Sequence, residues 1–332
     1  MQKPLHNFLI LFVIGAALCF VIAIEAQVIV IPKVPTNQTI TVGNQNSAPR
    51  QISQQINTTF NNLNNSPLSP ASSSFAIAQN FTHRNGLKWN FGGKSQNGWF
   101  IYQPLITDLI EVDANADANA FAQGVARWQR RAGLFPNGIV DEITLSAMFK
   151  TWQSNRVYTV ETATPAQLVH APISDFYDPT RADDLLYVER ETYNAYKKMV
   201  RAAVADKSLK LGANTSGELA STEPFMKIVS AFRSPEYQAK LRRASPNSGR
   251  AGLAMKSVHS SGRALDIYVG GEPVTTKDYN RAIQINTPVY RWLVKNAGKF
   301  GFKPYFYEPW HWEYAPETNN KVPPVIINTE NN

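Results

Sequence analysis

The chain has 332 residues, 43% hydrophobic and 11% aromatic, enough for two modest domains with cores of their own. Its formal charge of +8 favours acidic partners, yet no nucleic-acid-binding motif accompanies that charge, and nucleic acid is set aside as a partner. Cys19 is the single cysteine, so no intramolecular disulfide can form and stability must come from packing or from a bound metal.

In chain order, Phe8 to Ile24 is an uncharged, almost wholly apolar run after Lys3. Residues 1–26 read as a signal peptide or a membrane anchor, with cleavage after Ala26 disfavoured by Ile24 at a position that wants a small residue. The expectation is an exported chain of the cell envelope or periplasm that meets the membrane only through this segment. Residues 27–90, rich in Asn, Gln, Ser, Thr and Pro, read as a low-complexity linker with too few clustered apolar residues to offset the entropy of ordering.

Residues 91–155 regain helical periodicity. Phe121, Val125, Trp128 and Gln129 are spaced for one helix face, Ile143, Leu145 and Met148 suggest another helix, and Asp141, three residues before Thr144, is placed to cap it. Arg127, Arg130 and Arg131 read as a solvated face. His83 and His170 stand alone and read as surface histidines.

Residues 156–316 mix helices and strands without a strict βαβ repeat, which predicts an α+β domain, an antiparallel sheet flanked by helices. Pro165, Pro172 and Pro179 break a connecting region, and Leu185 to Leu211 reads as one long helix. Met226 to Phe232 reads as a strand that delivers Arg233 at its end, after which Ser234 and Pro235 open a helix carrying Tyr237 and Gln238. Arg242, Arg243, Arg250 and Lys256 lie in a basic stretch before a second strand, Ala264 to Gly270. Thr287 and Pro288 open another helix, and Phe302 to Tyr314 is an aromatic strand region. Residues 317–332 form a C-terminal tail.

Chemistry concentrates in two pairs, His259 with Asp266 and Glu308 with His311. Both separations are odd, so neither pair can share one face of a straight strand. Ser260, Ser261 and Gly262 allow a turn after His259, and Pro309 breaks the aromatic run, which places His259 on a loop and Asp266 on the following strand. Two imidazoles and one carboxylate make a three-ligand set for one zinc ion, and the remaining glutamate is free to move protons. Ser257, His259 and Asp266 also supply the residue types of a serine hydrolase, but no nucleophile elbow surrounds Ser257 and that reading leaves Glu308 and His311 without a role.

The stretch Ser257-x-His259-x-x-Gly262-x-Ala264-x-Asp266, then Glu308-Pro309-Trp310-His311, resembles the VanY-like zinc D-alanyl-D-alanine carboxypeptidases of bacterial cell walls, as does Ser230-Ala231-Phe232-Arg233-Ser234 with Tyr237 and Gln238. The resemblance implies zinc on His259, Asp266 and His311, with Glu308 as catalytic base. It also implies Arg233 steadying the oxyanion, and Ser257 and Gln238 contacting substrate. The implied partners are peptidoglycan stem peptides, and the basic charge adds anionic cell-wall polymers. Val125 to Leu134, followed by Gly138 to Asp141 and Thr144, resembles the three-helix peptidoglycan-binding domain found beside many wall hydrolases. L,D-carboxypeptidase or endopeptidase activity on the same peptides is the alternative within the enzyme class, because the ligands set the reaction and not the pocket. A non-enzymatic wall anchor is the alternative outside it.

Overall fold

The structure, a computed structural model, describes residues 67–154, 156, 161–245 and 257–316. The N-terminal segment 1–26, most of the linker, Arg250, Lys256 and the tail 317–332 lie outside the described residues.

The end of the region read as linker is structured. Helix α1 (Pro70–Gly86) starts at Ser69, whose hydroxyl accepts from the Ser72 N–H, with proline at its first turn. It then docks through buried Ala76 and Asn80, and the Asn80 amide donates to the Gly138 carbonyl while its oxygen accepts from the Val140 N–H, both at 2.8 Å. A hairpin follows, β1 (Lys88–Phe91) against β2 (Lys94–Asn97), with Gly92 and Gly93 turning at positive φ and Trp89 buried. The linker therefore cannot run to residue 90. Polarity misled there, because α1 docks by hydrogen bonds as much as by apolar contact.

Helices α2 (Gln103–Leu109), α3 (Ala118–Arg131) and α4 (Glu142–Ser154) complete the N-terminal module. Gln129 is buried and its amide bonds Gly138, Ile139 and Thr144, pinning the α3–α4 connection to α3. Asp141 caps α4 through the Thr144 N–H at 2.8 Å, as its spacing predicts. His83 and His170 each have a partner: His83 Nδ1 lies 3.3 Å from the Val140 carbonyl, and His170 Nε2 lies 2.9 Å from Asp183 Oδ1.

The second region opens with β3 (Leu168–His170) paired antiparallel to β4 (Tyr187–Glu189). The predicted long helix is shorter, α5 (Arg190–Ala205), because residues 187–189 join this ladder and Glu189 then caps the helix through the Thr192 N–H. Of the stripe that its periodicity predicts, Tyr193, Tyr196, Val200 and Ala203, the last three are buried and Tyr193 is half-buried, its hydroxyl donating to Asp175. The main sheet holds β5 (Ile228–Ser230), β6 (Ala264–Ile267), β7 (Phe302–Pro304) and β8 (His311–Tyr314) in the order β5-β6-β8-β7, every pairing antiparallel. Helices α6 (Pro235–Ala244), α7 (Asp278–Ile285) and α8 (Pro288–Asn296) accompany it. The fold is α+β, as read.

One buried cluster runs through both regions. Phe306 is its hub, with ring centroids 4.4 Å from Phe149, 4.8 Å from Phe91 and 6.2 Å from Trp152. Arg281, buried on α7, donates to the Tyr102 hydroxyl at 3.2 Å and the Tyr307 carbonyl at 3.3 Å. Among the described residues no helix is long and apolar enough to cross a membrane.

Candidate metal centre

His259 sits in a 3-10 turn, Val258–Ser261. Ser257 Oγ accepts from the His259 N–H at 3.3 Å and Gly262 ends the turn at φ 69°. A side chain at Gly262 would meet both a disfavoured backbone and Glu189, since an added Cβ would lie 2.9 Å from the Glu189 nitrogen. The turn is tied to the end of β5 where the Arg233 N–H donates to the His259 carbonyl at 3.0 Å. The loop-then-strand arrangement expected for His259 and Asp266 is the one observed.

Strand register does the rest. Ser230 pairs with Asp266, and Asp266 with His311, so three neighbouring strands carry one row of side chains across the sheet. Two residues on, Ala264 pairs with Glu313, which puts Glu313 on the same face as His311 opposite a small residue. Before β8 the chain turns tightly, with the His311 N–H donating to the Glu308 carbonyl at 2.9 Å and the Tyr305 N–H to the His311 carbonyl at 3.0 Å. Pro309 lies in that turn.

His259, Asp266 and His311 are all buried, and one ligand atom from each lies within 4.8 Å of the others. Asp266 Oδ1 faces both rings, 3.3 Å from His259 Nε2 and 2.9 Å from His311 Nδ1. The other ring nitrogens have acceptors: His259 Nδ1 is 2.6 Å from the Ala231 carbonyl and His311 Nε2 is 3.2 Å from Glu313 Oε1. A carbonyl or carboxylate can only accept, so the outer nitrogens carry protons; the inner ones, Nε2 of His259 and Nδ1 of His311, both face Asp266 Oδ1, the side on which a metal ion would displace any proton that His311 carries there. This also disposes of a Ser-His-Asp triad. One nitrogen of His259 is taken by a backbone carbonyl and the other faces Asp266, leaving none for Ser257, whose hydroxyl caps the turn instead.

Burial pulls both imidazoles toward the neutral form, and His259 stays there, its pKa lowered to about 4. For His311 the hydrogen bonds to Asp266 and Glu313 outweigh burial and lift the pKa to about 9. Burial likewise opposes charge on Asp266, but His259 and Arg233 hold it well below the usual carboxylate range. A proton on His311 thus adds positive charge beside two buried carboxylates that arginines also pair, Asp266 with Arg233 and Glu313 with Arg156. A metal ion replaces that proton with the same sign of charge, and the donor set, two imidazoles and a carboxylate, suits zinc.

Glu308 is buried beside this row, and burial pushes its pKa up to about 8, with His311 opposing. Arg233 is held by two contacts, Nε to Ser230 Oγ at 2.9 Å and Nη2 to Asp266 Oδ2 at 2.5 Å. Gln238 is buried on α6, the helix that Ser234 caps through the Tyr237 N–H. Of the basic stretch before β6, Arg242 and Arg243 lie in the last turn of α6, and beyond it the Arg263 guanidinium lies 5.9 Å from the Tyr314 ring centre. A cavity of about 440 Å³ lined by Phe100, Thr107, Asp108, Arg291 and Lys295, among others, includes none of the site residues.

Two neighbours of the site were not anticipated. Glu313 could have been found from the period of a strand, since it follows His311 by two. Arg156, which donates to Glu313, has no local signal at all.

Residues 186–317 match the VanY family, described as D-alanyl-D-alanine carboxypeptidase. All the site residues read from sequence, Arg233, Gln238, Ser257, His259, Asp266, Glu308 and His311, fall within that span, and the helical region before residue 155 falls outside it. No curated protein matches the chain.

Proposed function

We infer that the chain is a zinc-dependent D,D-carboxypeptidase of the bacterial cell wall that removes the terminal D-alanine from peptidoglycan stem peptides. The observation that carries this reading is the convergence of His259, Asp266 and His311 within 4.8 Å beside a buried glutamate, inside a segment similar to D-alanyl-D-alanine carboxypeptidases. When bound there, zinc would supply Lewis acidity toward the scissile carbonyl and a water nucleophile usable near neutral pH.

The protein's own groups do the remaining work. Glu308, with a pKa of about 8 that the charge of a bound cation would bring down, takes the proton from the attacking water and returns it to the leaving amine of D-alanine. Arg233, fixed by Ser230 and Asp266 at the end of β5, places a cation next to the ligand row, where negative charge develops on the carbonyl oxygen. Ser257, which caps the turn that carries His259, and Gln238 on α6 contact the peptide. Export to the envelope, through the N-terminal apolar segment, brings the enzyme to this substrate, and its basic charge favours anionic wall polymers.

The deciding experiment incubates the protein, zinc-loaded or chelator-treated, with muropeptides ending in D-Ala-D-Ala and follows products by mass. Loss of one alanine only with zinc supports the reading. A cut elsewhere in the stem would replace it with an L,D-carboxypeptidase or endopeptidase, and binding without cleavage would replace it with a wall anchor.

A further inference from the structure

Arg156 lies two residues beyond α4, the last helix of the N-terminal module, and reaches across to the last strand of the sheet. Its Nε and Nη2 donate to Glu313 Oε1 at 3.0 and 2.5 Å, and the same oxygen faces His311 Nε2 at 3.2 Å. The guanidinium also lies 4.0 Å from the Tyr305 ring centre, and that ring meets His311 edge-on with centroids 5.8 Å apart. Arg156 therefore touches both groups that bracket the outer side of the His311 imidazole.

Glu313 has no exposed surface. A buried carboxylate costs several kcal/mol unless it is paired and hydrogen-bonded, and here the pairing comes from 157 residues away in sequence. Without Arg156, the Glu313 carboxylate loses both hydrogen bonds that hold Oε1 against His311 Nε2, and the acceptor that orients the His311 ring is free to turn away.

We propose that Arg156 is a positioning residue for the metal site: through Glu313 it orients His311 as a ligand, so that a residue just past the end of α4 completes the outer shell of a centre otherwise built by the sheet and the turn before β6. The proposal rests on His311 being a metal ligand.

The test measures Zn²⁺ affinity by competition with a chromophoric chelator, together with the visible spectrum of the Co²⁺-loaded protein, for wild type, Arg156→Ala, Arg156→Lys, Glu313→Gln and the double variant Arg156→Ala/Glu313→Gln. Removing an outer-shell partner of a ligating histidine lowers metal affinity about 10- to 100-fold. The expected result is a loss of that size for Arg156→Ala, a smaller one for Arg156→Lys, and a double variant no weaker than Glu313→Gln alone. The cobalt spectrum should shift in both single variants that break the contact. Wild-type affinity and an unshifted spectrum in Arg156→Ala would overturn the proposal, even if its melting temperature fell, since that is what a purely structural ion pair would do. If Arg156→Ala fails to fold, Arg156→Gln, which keeps a planar group over Tyr305, is read in the same way. A wild-type protein that takes up no Zn²⁺, or a His311→Ala variant that binds it as wild type does, would instead bring down the underlying reading of the ligand set.

Discussion

Arg233 and the two histidines divide the carboxylate of Asp266 between them: Oδ1 faces both imidazoles, and Oδ2 accepts from Arg233 Nη2 at 2.5 Å. From the resemblance alone, Arg233 has work only on the substrate side, and its removal should leave the metal in place. The contact changes that expectation. Arg233→Ala should lower turnover on D-Ala-D-Ala peptides by about a hundredfold or more and also weaken Zn²⁺ binding by roughly tenfold, because Asp266 loses the partner that orients it. Steady-state kinetics and chelator competition on the same preparations separate the two losses, and an unchanged metal affinity would confine Arg233 to the substrate side.

Glu308 lies outside the group formed by His259, Asp266 and His311, so Glu308→Gln should retain zinc and lose activity. Metal content by elemental analysis, alongside alanine release, checks both halves. An active variant would remove Glu308 from the base role.

The raised pKa of Glu308 also governs how the zinc-free protein responds to pH. Its folded-state value of about 8 lies above the ordinary 4.5, so the folded state holds this proton more tightly than the unfolded chain. The associated stability is complete below about pH 4.5 and is lost as pH rises through about 8. At about 1.4 kcal/mol per pKa unit the loss amounts to a few kcal/mol. Urea titrations of the chelator-treated protein at pH 5 and pH 8 should show it, and Glu308→Gln should reduce the difference to the opposed contributions of His259 and His311.

Gly262→Ala places a side chain at φ 69° and 2.9 Å from the Glu189 backbone. The left-handed backbone alone costs about 1–2 kcal/mol, and the clash adds to it by displacing the turn that carries His259. A lower melting temperature together with weakened metal binding is the expected pair of outcomes.

Phe306→Ala should destabilise the described region by about 3–5 kcal/mol, as loss of a fully buried aromatic does. Since Phe306 packs on Phe91, Phe149 and Trp152, a thermal melt should shift as one transition and not split into separate unfolding of module and sheet.

What could be read from the sequence was local. His259 with Asp266, and Glu308 with His311, are each contained in a few residues and each flanked by its own turn-forming residues, so turn chemistry and strand period together placed them. The helix stripe of α5 and the cap at Asp141 were legible for the same reason. Helix α1 was not, because Asn80 resembles a linker residue until Gly138 and Val140, nearly sixty positions away, supply its hydrogen bonds. The start of α5 was misjudged because a three-residue strand has no periodicity to detect. The Arg233 to Asp266 contact depends on the register of β5 against β6, and Arg156 to Glu313 on where the chain leaving α4 meets β8, and neither can be counted along a chain.

The interlocking of Phe91, Phe149 and Trp152 with Phe306 bears on how such a chain can evolve. A recombination event that exchanged the N-terminal helices for another module would strip the cover from Phe306 and Tyr307 and leave Arg281 without the Tyr102 hydroxyl. The product of such an exchange would expose that apolar surface to water and invite aggregation, so a change of size at Phe306 calls for a matching change among Phe91, Phe149 and Trp152.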